Sequence, residues 1–98
     1  MYIYDGKNDI SNFSSDEFLQ VNSSGVSNNF PGYRVIRENG RVDYHIIFVK
    51  EGKCIAVYDS QRYILKRGSV IIYPPNVRQE YYFEENCTTV WTHFTGSF

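Results

Sequence analysis

Ninety-eight residues allow one small domain, and ten Lys plus Arg against eleven Asp plus Glu leave a formal net charge of −1. That balance offers no broad basic field for nucleic acid, and no apolar run reaches the length that spans a bilayer. Nine Tyr and seven Phe against one Trp, 17% aromatic in all, favour strands over helices.

The N-terminus, MYIYDGKNDI, lacks a basic start followed by an apolar stretch, so neither a secretory signal nor a membrane segment is read and a cytoplasmic location is expected. Residues 1–19 read as a polar, interrupted arm. Ser14-Ser15-Asp16-Glu17 has the form of a helix capping box, but no apolar periodicity follows it. From residue 20 the pattern is that of one β-domain running to Phe98. FLQVNS reads as a first strand stopped by Ser24-Gly25, and Asn28, Asn29, Pro31 and Gly32 read as a loop. YRVIRE alternates as a strand, and Asn39-Gly40 is a turn signal. Then follow YHIIFV, Glu51-Gly52, KCIAVY, Asp59-Ser60-Gln61, RYILKR, Gly68, SVIIY and a Pro74-Pro75 corner. QEYYF, an acidic turn at Glu84-Glu85-Asn86 and CTTVWTHFT complete the chain. Short strands at eight- to twelve-residue spacing, with turn signals between them, indicate an all-β sandwich or barrel. Cys54 and Cys87 match no metal-ligand spacing. Cys54 reads as a small buried hydrophobe; a disulfide stays open, with reduced thiols expected in a cytoplasm.

The glycines and the proline carry the spacing of a cupin, a jelly-roll (double-stranded β-helix) barrel whose first motif is G-x5-H-x-H-x3-4-E-x6-G and whose second is G-x5-P-x-G-x2-H-x3-N. With Gly52 closing the first motif, its Glu position holds His45 and its second His falls near Arg41, or Gly40 with the longer spacing. With Gly68 opening the second, Pro74 fits, Asn76 takes the Gly position and Gln79 the His position. One imidazole, an amide and a guanidinium make a poor divalent site, which needs three or four convergent donors. No metal and no cofactor is therefore expected. A metal-dependent cupin enzyme acting on a small sugar or acid is the alternative reading.

Three ordered segments resemble the N-terminal sensing domain of AraC-family transcription regulators. They are VNSSG with Pro31-Gly32-Tyr33, Arg41 and DYHIIFVKEGKC; YILKRGSVIIYPPNV; and WTHFTG at Trp91–Gly96. The resemblance covers residues 21–96 and implies a cupin-like barrel holding a small effector, often a sugar or related polar metabolite. It also implies DNA binding only through helix-turn-helix units beyond this chain, and leaves open a homodimer formed by helices beyond Phe98. In some members the arm folds over the effector, a role that Ile10, Phe13 and Phe18 could serve here.

Sugars are held by an aromatic face and a few planar or charged hydrogen-bonding groups. The candidate ligand-binding residues are Arg37, His45, Gln79, Tyr81, Trp91 and His93. Trp91 reads equally as a stacking platform or as a core aromatic. Gln79, Tyr81 and Phe83 share one face of their strand, and Gln79 should point inward to meet hydroxyls or a backbone group. Arg37 shares a side with Tyr33 and Val35. A solvated Arg is the commoner fate, but an inward Arg37 would imply an anionic or hydroxylated partner. A one-residue slip would put Arg34 there instead. His45 follows the cupin frame inward; His93 reads first as a hydrogen-bonded structural residue. No catalytic residue is assigned, because Asp43 and Glu51 are isolated carboxylates near strand ends. A barrel plugged by its own Tyr and Phe would instead suit a module acting through protein contacts alone.

Overall fold

The computed structural model describes residues 2–4 and 19–96. The described residues form nine strands: β1 (Tyr2–Tyr4), β2 (Leu19–Asn29), β3 (Arg34–Arg37), β4 (Tyr44–Glu51), β5 (Cys54–Tyr58), β6 (Gln61–Leu65), β7 (Val70–Tyr73), β8 (Gln79–Tyr82) and β9 (Cys87–Gly96). They form two antiparallel sheets, β1-β7-β4-β9-β2 and β3-β8-β5-β6. This is the jelly-roll of a cupin, as the spacing of turn signals predicts. Among the described residues no helix is long and apolar enough to cross a membrane.

Left-handed backbone falls where the sequence supplies residues that tolerate it. Asp59 and Ser60, with φ of 52° and 63°, form the two-residue turn between β5 and β6. Two consecutive positive φ values match the twist that a tight hairpin requires. Asn76 takes the family's glycine position at φ 63°, which a short amide side chain permits.

Alternation places one face of each sheet against the other. Ile47 and Val49 of β4, Ile71 and Tyr73 of β7, Cys54 and Ala56 of β5 and Leu65 of β6 build the core with Tyr81, Phe83 and Cys87. Full burial of each large apolar side chain contributes about 1.5–3 kcal/mol. Both cysteines are buried and free. The apolar packing fills the side of the sandwich under β4–β7 and β5–β6. At the opposite side the edge strands β2 and β3 are not hydrogen-bonded to each other.

Two segments depart from the sequence reading. Tyr2–Tyr4, inside the residues read as an arm, pair with β7, Tyr2 opposite Ile72 and Tyr4 opposite Val70. The capping-box residues Ser14–Glu17, and Ile10, Phe13 and Phe18, lie outside the described residues. The second departure is a correction: β2 does not stop at Ser24-Gly25 but runs on through Asn29, paired to β9 along its length. An irregularity between Val21 and Ser23 resets its facing, so that Ser23, Gly25 and Ser27 lie opposite His93, Trp91 and Thr89.

Candidate functional site

The polar inward residues gather on the β2–β3 side, around a cavity of about 290 Å³ that is open to solvent on one side. Its wall comes from Ser27 and Asn29 of β2, Tyr33 and Arg37 at β3, His45 and Ile47 of β4, Tyr81 of β8, and Thr89, Trp91 and His93 of β9. The barrel interior is thus not plugged by its own aromatics. The volume stands near the lower end of the range for small-molecule sites, roughly 300–1,000 Å³.

Five of the six candidate residues line this cavity. Arg37 is half-buried rather than solvated, and the register holds: Arg34, on the other face of β3, is exposed and pairs with Glu80 at 2.7 Å. The sixth, Gln79, is fully buried and is not part of the wall. Its Oε1 accepts from Arg37 Nη1 at 3.2 Å and lies 2.9 Å from His45 Nδ1. A guanidinium has donors only, so the amide must turn its oxygen toward Arg37, and His45 Nδ1 must then carry the proton. Gln79 Nε2 is left without a partner in the buried interior. Gln79 thus contacts two wall residues from beneath the cavity without lining it.

His45 is 3% exposed, and burial pushes its pKa down to about 4 against the opposing effect of the hydrogen bond it donates to Gln79. At neutral pH it is uncharged, with Nε2 as an acceptor. His93 packs edge-on to it, ring centroids 4.5 Å apart, and its Nδ1 lies 2.8 Å from Ser23 Oγ. Burial, then the nearby Arg41, also lowers the His93 pKa, although Asp43 opposes this. Burial raises the Asp43 carboxyl, but hydrogen bonds from Arg41 and Asn22 outweigh it and hold the group below its ordinary range.

Trp91 presents its ring in the wall and donates Nε1 to Ser27 Oγ at 2.9 Å. Its opposite number in the register is Gly25. A Cβ on Gly25 would fall 2.6 Å from Cζ2 and 3.0 Å from Cε2, so the indole rests on bare backbone. Asn29 donates to Cys87 O and Thr89 Oγ1, both at 3.1 Å, fixing the floor beside it. Sequence reading missed Ser23, Gly25, Ser27 and Asn29, because a run of small polar residues looks like a loop. The available signal was their period of two opposite Thr89, Trp91 and His93.

A divalent metal does not suit this donor set. Gln79 and His45, at the positions of two cupin ligands, are tied to each other and to the Arg37 cation. Among the described residues no three His, Cys, Asp or Glu side chains converge. Chemically the wall offers an indole face, two imidazoles, two phenols and a guanidinium.

The chain is similar in fold to several solved structures. A cupin-2 domain protein from Shewanella frigidimarina superposes with a TM-score of 0.59 at 16% identity, over 83% of this chain and 72% of that one. A cupin 2 conserved barrel protein from Salinispora arenicola gives 0.61 at 17%, over 84% and 77%. The cupin domain of an XRE-family transcriptional regulator from Enterobacter cloacae gives 0.57 at 8%, over 80% and 93%. At these identities the likeness concerns fold alone. No functionally curated protein matches the sequence. Residues 20–98 match the AraC-like ligand-binding domain, and the chain belongs to that family.

Proposed function

We propose that this domain senses a small polar metabolite, a sugar or related compound, in a metal-free barrel cavity and so controls the DNA-binding part of an AraC-type regulator. The reading is non-enzymatic. One observation carries it: Trp91, Arg37, His45 and Tyr81 converge from four strands on one open cavity beside a separately packed core. An aromatic face set among a few fixed polar groups is how proteins hold hydroxylated compounds. Ser23 and His93 lie 2.8 Å apart at the edge of the site, but the nearby carboxylate of Asp43 is bound up with Arg41 at 2.7 Å rather than with the imidazole.

Thermal unfolding with a panel of aldoses, polyols and sugar acids tests this. At a hundredfold excess over Kd a one-site ligand adds about 2.7 kcal/mol, roughly 10–20 °C in a domain of this size. Trp91 is the single indole, so a true guest also changes the tryptophan emission. A panel that moves neither quantity, or stoichiometric metal in the purified protein, would count against the sensor reading.

A further inference from the structure

Arg37 is the cation among the described residues of the cavity wall, and none of those residues balances its charge. Among the described residues no carboxylate pairs with Arg37, and several near it are engaged elsewhere: Glu80 with Arg34 and Arg78 at 2.7 Å each, Glu38 with Arg78 at 3.0 Å, and Asp43 with Arg41 at 2.7 Å. Arg37 makes two hydrogen bonds, both from Nη1, to Gln79 Oε1 at 3.2 Å and Tyr81 Oη at 3.4 Å. Among the described residues Nε–H and the two Nη2–H groups have no partner. Nε–H and one Nη2–H form a parallel pair of donors, the fork that matches the two oxygens of a carboxylate.

The rest of the wall adds no negative charge. His45 and His93 are both neutral at pH 7, and Ser27, Asn29, Tyr33, Tyr81, Thr89 and Trp91 are uncharged, so the cavity carries a formal charge of +1. A neutral sugar would leave a half-buried guanidinium without a counter-ion, whereas a monoanion completes it.

We infer that the effector bears a carboxylate, which pairs with the Arg37 fork while its hydroxylated carbon skeleton lies on Trp91 and meets Tyr81 and His45. The class is a hydroxy or sugar acid rather than a neutral sugar. This rests on the sensing role proposed above.

The test compares matched acids and neutral compounds at constant ionic strength, using the 98-residue chain. Acetate against acetamide probes the fork alone and needs no stereochemical fit, read from the Arg37 Nε–H resonance. Glucuronate and galacturonate against glucose and galactose probe the whole cavity, read from Trp91 emission. Acetate should shift the Arg37 resonance saturably and acetamide should not. The acids should bind at least about tenfold tighter than the aldoses. Arg37→Gln should bring that ratio near one, Arg37→Lys should reduce it without abolishing it, and Arg34→Gln should leave it unchanged. An Arg37 resonance indifferent to acetate overturns the inference, as does equal binding of acid and aldose. In the second case the sensing role survives, because a guest has been found. If no acid and no neutral compound reaches the cavity, both fail together.

Discussion

The indole of Trp91 rests on the backbone of Gly25, where a single added methyl carbon would fall 2.6 Å from Cζ2. Glycine ordinarily weakens a strand, and replacing it with alanine removes unfolded-state entropy and stabilises by a few tenths to about 1 kcal/mol where the backbone permits. Gly25 has no positive φ to forbid that gain. The obstacle is Trp91 itself. Gly25→Ala should therefore destabilise by about 1–3 kcal/mol, the usual range for overpacking. It should also red-shift the tryptophan emission as the ring is driven from its seat and from Ser27. Thermal melts and fluorescence check this; an unchanged melt with unchanged emission would mean the ring is not clamped.

His45 makes stability depend on pH in a stated direction. Burial lowers its pKa in the fold from 6.5 to about 4. Between these values the unfolded chain holds a proton that the folded chain does not. Stability is therefore complete above about pH 6.5 and falls as pH drops toward 4, by on the order of 3 kcal/mol from this residue. His93, lowered for the same first reason, acts in the same direction. Urea unfolding at pH 7, 5.5 and 4.5 should show the loss, and His45→Gln should flatten it. A wild-type midpoint constant across that window would be the contrary result.

The fold was legible because its turns have strong local chemistry. Gly52, Gly68, Pro74 and the Asp59-Ser60 pair punctuate strands whose alternation is clear, and the Gln79-Tyr81-Phe83 face came out buried as the pattern requires. Tyr81 of β8 and the Thr89, Trp91 and His93 face of β9 followed from the same period of two, and His45 of β4 from the cupin frame. What could not be read was β2. Ser27 and Asn29 line the cavity, Gly25 lies under the indole and exposed Ser23 bonds His93, so small residues stand where a core would call for apolar ones. Hydrophobic periodicity has nothing to detect there. The role of Gln79 was also hidden, since a period of two places it inward but does not say that Arg37 and His45 reach it first. The pairing of Tyr2–Tyr4 with β7 depends on contacts nearly seventy residues away in sequence, which local pattern cannot show.

Cys54 and Cys87 should be inert in the native protein. Burial raises their thiol pKa values to about 12 and about 11, with each other's proximity adding to Cys54 and Glu85 adding to Cys87. Attack on a disulfide reagent needs an accessible thiolate, and neither thiol supplies one near neutral pH. A chromogenic disulfide reagent should label no thiol in buffer at pH 7.5 and two per chain in denaturant. Rapid labelling of either in buffer would reveal an opening of the core on that timescale.

Gln79→Glu isolates the electrostatics of the site with little change in shape. The new carboxylate would stand 3.2 Å from Arg37 Nη1 and 2.9 Å from His45 Nδ1, accepting from both as the amide oxygen does. It supplies the counter-charge that the wall lacks, and it favours the protonated form of His45. The His45 pKa, followed by NMR, should rise from about 4 toward the ordinary imidazole range. The acid-side loss of stability should shrink in step, because the folded and unfolded pKa values approach each other. Preference for acids over aldoses should vanish, while binding of neutral polyols through Trp91 persists. Gln79→Leu makes the contrast: it keeps the bulk but strips the acceptor from both neighbours, leaving buried donors that cost about 1–3 kcal/mol each. If Gln79→Glu retained a full preference for acids, the carboxylate of the guest would be held by some group other than Arg37.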